Sequence, residues 1–210
     1  MLTVHHLGIS QSERIVWLCE ELAVPYELKK YDRDPVTRLA PAEYKALHPF
    51  GTAPVITDGK VVLSESGAII EYIIERHGKG RLAVRPDAPN YPDYLFWFHF
   101  ANGSMMPVQF AGAIKPSPEE TPRTRISRER CERTWTMVEQ RLGEAPYFAG
   151  SEFTAADIIM LFPLTTMRAF VPRDISGYPN VLAYLQRIGA RPAYQQALRK
   201  GDPQMTPFLS

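Results

Sequence analysis

The sequence has few of the features that mark secreted, membrane or nucleic-acid-binding proteins. It contains only two cysteines, Cys19 and Cys131, far apart and without a CxxC pair, so neither a disulfide framework nor a zinc site is indicated. Twenty-four basic and 23 acidic residues leave a net charge of +1, which gives no electrostatic reason to expect nucleic acid or an anionic membrane as a partner. No apolar run approaches the roughly 18 residues that span a bilayer. The first ten residues also lack the basic and apolar regions of a signal peptide. We therefore expect a cytoplasmic protein without a metal.

The first 80 residues alternate between strand and helix patterns. Apolar side chains recur at helical spacing after Ser12 and again after Ser64, whereas the intervening segments alternate in the manner of half-buried strands. Asp58-Gly59 between two short apolar runs is a strong hairpin signal. The order β-α-β-α-β-β-α predicts a small α/β domain.

The strand patterns disappear after a proline-containing segment, and the rest of the chain is helical in pattern. Three prolines fall in residues 81–92, which we interpret as a linker. We therefore divide the chain into an α/β domain at 1–80, the linker at 81–92 and an all-helical domain at 93–210. The candidate helices of the last domain are 94–110, 123–142, 155–170, 181–188 and 193–198.

FTAADIIMLFPL, residues 153–164, contains a local folding signal. Thr154 followed by Asp157 resembles a capping box, with aspartate in place of the usual glutamate or glutamine. The helix that follows is apolar on nearly every side, so we expect it at the centre of the helical domain. Pro163 in its interior should kink it. We interpret this segment as structural rather than catalytic.

Two short segments of the first domain are candidates for ligand contact. In HPFGTAPVITDG (48–59), a cis Ala53–Pro54 bond would leave the backbone of Ala53 open to pair with a bound peptide. A plain trans proline at a loop–strand junction is the alternative that base frequencies favour. In LSESGAII (63–70), Glu65 and Ser66 open a helix, where free N–H groups attract a carboxylate. The alternative is that Ser64 or Ser66 caps that helix and Glu65 merely improves it.

These segments together resemble a known family. HPFGTAPVITDG, ESGAIIEYI and FAGSEFTAADI occur in the order and at the separations seen in cytosolic glutathione S-transferases, and the resemblance covers the whole chain. SQSERIVWLCEEL further resembles a serine-type bacterial and fungal branch, although Gln11 stands where that branch has arginine. The resemblance implies the glutathione transferase fold: an α/β thioredoxin-like N-terminal domain that binds glutathione, and an all-α C-terminal domain that carries the electrophile site.

The resemblance also implies a glutathione-binding set in the first domain. Ala53 would pair with the cysteinyl backbone of glutathione, and Pro54 would be a cis proline. Ser66 would bind the α-carboxylate of the γ-glutamyl end, with Glu65 near its α-amine. Thr52 occupies a position near the peptide that often holds lysine or glutamine.

The thiol of glutathione needs a partner that favours its anion. An unperturbed thiol has a pKa near 8.5, so only a few per cent is thiolate at neutral pH. The resemblance makes Ser10, four residues before Arg14, the catalytic hydroxyl, with Ser12 as the alternative. Read without a ligand, Ser10 and Glu13 instead form a capping box.

Several other residues of the first domain are candidates for a functional or a structural role. Arg38 and Lys45 are loose candidates for the glycyl carboxylate. His5 and His6 alternate on a strand, so one should point inward, and a satisfied core or surface histidine is the favoured interpretation. Cys19 lies on the apolar face of the first helix, which favours a buried small hydrophobe over a nucleophile.

The helical domain supplies the remaining candidates. Met105, Met106 and Phe110 would line a pocket for apolar electrophiles, with core packing as the alternative. Phe50 is a candidate for the aromatic residue that some classes insert into a partner subunit, and a homodimer is the family expectation.

The expected function is conjugation of the glutathione thiolate to small hydrophobic electrophiles in a detoxification role. The alternatives are glutathione-dependent isomerisation, dehalogenation or peroxide reduction, and a non-catalytic ligand-binding protein of the same fold.

Overall fold

The structure is a computed structural model that describes residues 1–112 and 121–210, and these residues pack into two compact units. The first unit comprises Met1–Ala83 and Ile188–Pro207, and the second comprises Val84–Arg187 and Phe208–Ser210. Residues 188–207 therefore pack with the N-terminal segment, whereas the sequence analysis grouped them with the helical domain.

The elements of the described residues follow the predicted order. The strands are β1 (Leu2–Leu7), β2 (Glu27–Tyr31), β3 (Val55–Asp58) and β4 (Val61–Ser64). The helices are α1 (Glu13–Leu22), α2 (Ala42–Lys45), α3 (Ser66–Arg76), α4 (Tyr91–Phe100), α5 (Met106–Gly112), α6 (Pro122–Glu144), α7 (Ala155–Leu164), α8 (Pro179–Gly189) and α9 (Pro192–Gly201). The predicted β-α-β-α-β-β-α order is confirmed. Helix α4 begins at Tyr91, within the predicted linker at 81–92, and the later helices lie within 93–210.

The four strands form one mixed sheet in the order β2-β1-β3-β4. β1 runs parallel to β2 and antiparallel to β3, and β3 and β4 form the predicted hairpin. Gly59 begins the hairpin turn with φ +61°, a conformation that glycine adopts without steric cost. Val55 pairs with both His5 and Ser64, so the segments just beyond these three residues meet at one edge of the sheet.

Helix α9 joins the first unit through ion pairs and ring packing on α1. Arg191 donates from Nε and Nη2 to the two carboxylate oxygens of Glu21 at 2.7 and 2.8 Å. The rings of Trp17 and Tyr194 meet edge to face with centroids 5.3 Å apart. Because the pair is bidentate and the rings are buried, α9 is a part of the first unit's packing and not a surface appendage.

The second unit is built around α7, as its sequence predicted. All ten residues of α7 are buried, and the Thr154–Asp157 capping box is present. The helix ends at Leu164, however, so the prediction of a kinked helix to Phe170 is wrong. Pro163 lacks the N–H that would continue the hydrogen-bond ladder, and Thr165 adopts φ −120° and ψ −98°, outside the helical region. A short 3₁₀ turn, Thr166–Ala169, follows.

The predicted helix over 94–110 is interrupted by a π-helical turn at Ala101–Met105, between α4 and α5. It coincides with Asn102-Gly103-Ser104, the polar stretch of this apolar segment. Within the described ranges, no helix is both long enough and apolar enough to cross a membrane.

Candidate functional site

The turn between β1 and α1 contains both candidate serines, and both are buried. The Ser10 hydroxyl donates to the carbonyl of Leu7 at 2.6 Å and lies 2.8 Å from the Ser12 hydroxyl. Ser10 Oγ also accepts the N–H of Ser12 at 3.2 Å. Helix α1 begins at Glu13 with Ser12 as its N-cap residue, so Ser10 lies in the turn before the helix. The interpretation of Ser10 and Glu13 as a capping box is therefore wrong.

A hydrogen-bonded chain leads from these serines to the end of α9. Ser12 Oγ lies 2.9 Å from His6 Nδ1, and His6 Nε2 lies 3.0 Å from a carboxylate oxygen of Asp202. The other carboxylate oxygen of Asp202 accepts the N–H of Ile9, in the serine turn itself, at 3.1 Å. The chain Ser10–Ser12–His6–Asp202 therefore connects the two ends of the sequence.

The charge state of Asp202 determines the direction of the hydrogen bonds along Ser12–His6–Asp202. Burial alone would raise the pKa of Asp202, but the hydrogen bond and charge of His6, the N–H of Ile9 and the charge of Lys30 outweigh it and hold the pKa below its usual range. The carboxylate is therefore ionised at neutral pH and can only accept, so we assign the Nε2 proton of His6 to this bond. In neutral His6, Nδ1 is then the acceptor that faces Ser12.

The backbone of the turn is held in an uncommon conformation. Ile9 has φ +50°, which is a true outlier for a β-branched residue. Arg33 stabilises this conformation, because its guanidinium donates to the carbonyls of Gly8 at 2.8 Å and Ile9 at 3.0 Å. A Cβ at Gly201 would lie 3.1 Å from His6 Nε2, so glycine there lets α9 approach the His6 ring closely. Strained backbone of this kind concentrates at functional sites.

A second polar cluster lies at the start of α3. Ser66 donates to Gln11 Oε1 at 3.2 Å and accepts from the Arg14 guanidinium at 3.3 Å. Arg14 also donates to Gln11 Oε1 at 2.8 Å. Burial lowers the pKa of Arg14 to about 9, and the charge of Glu13 opposes that shift. Gln11, the residue between the two serines, thus joins the serine turn to Ser66.

The residue before Ser66 is also in a sparsely populated conformation. Glu65 has φ +76° and an exposed side chain. It lies at the N-cap position of α3 and makes no side-chain capping hydrogen bond. The alternative that Ser64 or Ser66 caps this helix is wrong, because Ser64 donates to the Pro54 carbonyl and Ser66 to Gln11. The Glu65 side chain is at the surface of the site.

The Ala53–Pro54 bond is cis, as the family resemblance implied. Pro54 is buried, and its carbonyl accepts from Ser64 at 3.1 Å. Neither the N–H nor the C=O of Ala53 has a hydrogen-bond partner among residues 1–112 and 121–210. Thr52 beside it is exposed. Ala53–Pro54 directly precedes Val55, whereas Glu65–Ser66 and the serine turn follow Ser64 and His5. Because Val55 pairs with both Ser64 and His5 in antiparallel strands, all three segments lie at the same edge of the sheet.

The remaining candidates of the first unit lie apart from this cluster or are satisfied structurally. Arg38 and Lys45 are exposed, and Arg38 is linked to the serine turn only through its backbone carbonyl, which accepts from Arg33 at 3.0 Å in the described residues. His5 bonds to Tyr31 and Thr57 across the sheet, so the structural interpretation is confirmed for it. Burial raises the pKa of the Cys19 thiol to about 12, as expected of a buried small hydrophobe.

The candidates of the second unit divide between core and surface. Met105 is fully buried, and Met106 packs with Phe162 and Met167. Phe110 is half exposed. The burial of the two methionines agrees with core packing, the alternative interpretation. Their assignment to an electrophile pocket stays a prediction.

Sequence reasoning did not find Asp202 or the role of Arg33. Asp202 follows Ser12 by 190 positions and sits in no local motif, so only the packing of α9 on the sheet brings it to His6. Arg33 lies in a polar loop without periodicity. No group of three or more His, Cys, Asp or Glu side chains is arranged to hold a metal ion among the described residues.

Comparison with known proteins identifies the family. Residues 10–76 match the sequence model of the glutathione S-transferase N-terminal domain, and residues 118–187 match that of the C-terminal domain. Glutathione S-transferase 3 of Schizosaccharomyces pombe is 32% identical over 95% of this chain and 88% of its own length.

Solved structures agree with this result. A glutathione S-transferase from Actinobacillus pleuropneumoniae superposes with a TM-score of 0.87 and 32% identity, over 100% of this chain and 99% of that one. A sphingomonad glutathione S-transferase, complexed with glutathione, shares the fold with a TM-score of 0.74 and 23% identity, over 95% and 98% of the two chains. The chain therefore belongs to the glutathione S-transferase family of enzymes, with the thioredoxin-like and all-α domains of that fold.

Proposed function

We propose that this protein conjugates the thiolate of glutathione to small hydrophobic electrophiles, with Ser10 donating a hydrogen bond to the sulfur. The observation that carries the proposal is the convergence at one sheet edge of the serine turn, Ala53–Pro54 and the Glu65–Ser66 pair. These are the segments that the family resemblance assigns to the sulfur, the cysteinyl backbone and the γ-glutamyl end of glutathione.

The γ-glutamyl end would bind at the start of α3. The Ser66 hydroxyl and the first N–H groups of the helix favour an anion there. The Arg14 guanidinium, 3.3 Å from Ser66 Oγ, adds a buried positive charge. The exposed Glu65 carboxylate would pair with the α-amine. The set thus offers the opposite charge to each half of a zwitterionic amino-acid group.

The backbone of the tripeptide would pair with Ala53. Its N–H and C=O are without partners in the described ranges, and an extended peptide can satisfy both as a short added strand. Thr52, exposed beside Ala53, would contact the same stretch of peptide. This pairing would direct the cysteinyl side chain toward the serine turn.

Ser10 would then stabilise the thiolate. Its hydroxyl hydrogen has two acceptors within the protein, the Leu7 carbonyl and Ser12 Oγ. A thiolate competes with both, because charge-assisted hydrogen bonds are roughly twice as strong as neutral ones. A decrease of two units in the thiol pKa requires about 2.7 kcal/mol in favour of the anion, which is the scale of such a bond together with a helix N-terminus.

Replacement of Ser10 by alanine tests this role. We expect glutathione affinity to stay near that of the parent, while the pKa of the bound thiol rises and conjugation slows near neutral pH. The thiolate absorbance in the ultraviolet and kcat/KM with a panel of electrophiles are the measurements. Ser12→Ala is the comparison variant, because Ser12 is the alternative partner of the sulfur. If Ser10→Ala retains the parent's activity from about pH 6 to 8 and Ser12→Ala does not, Ser12 is the sulfur's partner.

The same screen separates the other functions considered. Hydroperoxides, isomerisable substrates and haloalkanes in the panel distinguish peroxidase, isomerase and dehalogenase activity from conjugation. A protein that binds hydrophobic ligands without forming a thiolate would be a non-catalytic member of the fold.

The remaining expectations belong to the same proposal. Residues 1–80 would form the glutathione-binding domain and 93–210 the domain that carries the electrophile site, with Met105, Met106 and Phe110 near the electrophile. The protein would act in the cytoplasm as a homodimer in detoxification. Phe50, 62% exposed in the chain, is the candidate that enters the partner subunit.

A further inference from the structure

We propose that His6, with Asp202 behind it, is the base that accepts the proton of the glutathione thiol, and that Ser10 and Ser12 conduct this proton. The inference rests on the proposed function, since it takes Ser10 as the neighbour of the sulfur. It also states which group receives the thiol proton. A hydroxyl that only donates a hydrogen bond to the sulfur cannot receive that proton.

The distances form an unbroken path for proton transfer. Ser10 Oγ and Ser12 Oγ are 2.8 Å apart, and Ser12 Oγ is 2.9 Å from His6 Nδ1. His6 Nε2 is 3.0 Å from Asp202 Oδ2. Each separation lies in the range of a direct hydrogen bond, so no bridging water is needed between the turn and the imidazole.

The donors and acceptors along the path are consistent with this direction. Ser12 Oγ accepts the N–H of Leu7 and lies 2.9 Å from His6 Nδ1. The Ser10 hydroxyl, which donates to the Leu7 carbonyl at 2.6 Å, would turn to Ser12 Oγ, 2.8 Å away, as the proton moves. Ser10 Oγ accepts the N–H of Ser12, which leaves its second acceptor position for the thiol hydrogen. The network is then complete when glutathione binds, and each hydroxyl can accept one proton while it passes on its own.

The proton transfer balances without any further reactant. The S–H bond of glutathione breaks, its electron pair stays on sulfur, and the proton bonds to Ser10 Oγ. The hydroxyl proton of Ser10 moves to Ser12 Oγ, and that of Ser12 moves to His6 Nδ1. The result is a thiolate at one end and an imidazolium at the other. After sulfur has bonded to the electrophile, the same path returns the proton to the leaving group or to solvent.

The ring of His6 is enclosed, and an ionised carboxylate lies behind it. The ring is 1% exposed, and it projects from β1 against the end of α9. Asp202 is ionised and bonded to Nε2, which is the role of the aspartate behind histidine in hydrolytic triads. Lys30 lies opposite His6 on β2. The titratable groups that line the same two cavities as His6 are Asp202, Glu13, Lys30, Asp32, Tyr31 and Tyr194.

The number of protons released on binding tests the proposal. Glutathione is titrated into the protein near neutral pH in two buffers of different ionisation enthalpy, and the thiolate absorbance is recorded in parallel. S-methylglutathione, which has no thiol proton, gives the baseline for all other groups. We expect the wild-type protein to form thiolate and to release close to zero protons per thiolate beyond that baseline. Release of one proton per thiolate would overturn the proposal.

His6→Asn is the variant that separates proton acceptance from positioning. Asparagine keeps a polar atom near the position of Nδ1 but cannot accept a proton. We expect either less thiolate or one proton released per thiolate, and kcat/KM lower by about 100-fold near neutral pH. The loss should shrink at about pH 9, above the thiol's ordinary pKa, because hydroxide then removes the proton. An equal loss at every pH would show a structural role only, and a wild-type proton count in this variant would also contradict the proposal.

Two controls keep the result decisive. His5→Asn changes the neighbouring histidine, which faces Tyr31 and Thr57, and should leave the proton count of the wild type unchanged. If His6→Asn does not fold, the wild-type count still decides the matter, and Asp202→Asn should give partial proton release. Failure of glutathione binding itself, or a wild-type complex without thiolate, would overturn the proposed function and this inference together.

Discussion

Replacement of Asp157 by alanine removes a fully buried carboxylate that accepts four hydrogen bonds in the second unit. One oxygen accepts the N–H of Phe148 at 3.0 Å and the hydroxyl of Tyr184 at 3.3 Å. The other accepts the N–H of Thr154 at 2.9 Å and its hydroxyl at 3.3 Å. The two N–H groups are fixed by the backbone, and each would lose its partner at a cost of about 1–3 kcal/mol. We expect the free energy of unfolding to fall by about 3 kcal/mol near neutral pH.

The loss should depend on pH in a defined direction. Burial raises the pKa of Asp157 from 3.8 to about 6, although the hydrogen bonds from Phe148, Thr154 and Tyr184 act to lower it. The folded state therefore binds this proton more tightly than the unfolded state does. The resulting stability is fully present below the unfolded pKa and is lost as the pH rises through the folded pKa. A difference of about two pKa units corresponds to about 3 kcal/mol.

The comparison of the parent with Asp157→Ala isolates this contribution from that of other carboxylates. The destabilisation should be larger near pH 4 than near pH 7, by up to about 3 kcal/mol. Urea unfolding at several pH values, followed by the fluorescence of Trp97 and Trp135 in a common Trp17→Phe background, measures it. Asp87→Ala, in an exposed ion pair with Arg85, is the matched control and should change stability by less than about 1 kcal/mol. A destabilisation independent of pH, or no larger than that of the control, would refute the reasoning.

Three further predictions concern the site and the assembly. Ser66→Ala should weaken glutathione binding by about 1.5–3 kcal/mol, measured by calorimetry, through loss of a hydrogen bond to a charged group, and unchanged affinity would remove Ser66 from the site. Arg191→Ala should destabilise the first unit by about 1–3 kcal/mol, because it leaves the Glu21 carboxylate, 9% exposed, without its bidentate partner. Trp17 fluorescence during urea unfolding measures this loss, and Arg199→Ala is the exposed control. Phe50→Ser should shift the protein toward the monomer in sedimentation, whereas a parent that is already monomeric would contradict the dimer.

The order of secondary structure could be predicted because local signals specify it. The Asp58-Gly59 turn and the Thr154–Asp157 capping box each have a geometry that few other residues satisfy, and the structure contains both. The end of α7 was predicted less well. Pro163 can either kink or end a helix, and the choice depends on the conformation of Thr165, which sequence periodicity does not specify.

The candidate site was predicted in part, for a similar reason. Glu65, Ser66 and the cis Ala53–Pro54 bond lie in short segments whose residue types match a family pattern. The direction of the serine hydroxyls could not be inferred, because it depends on acceptors from other elements. Ser10 donates to the Leu7 carbonyl, and Ser12 faces His6 from the adjoining strand.

The position of α9 explains why residues near the C-terminal end of the sequence contact the serine turn. Asp202 directly follows this helix, and its two oxygens bind the His6 ring and the N–H of Ile9. The ion pair of Arg191 with Glu21 fixes the start of the same helix on α1, the helix that the serine turn opens. A change that loosens α9 should therefore displace Asp202 and act on the thiol of bound glutathione before it unfolds the sheet. Under the proposed mechanism, residues 188–207 would therefore act together with the serine turn, although they follow Val84–Arg187 of the second unit in the sequence.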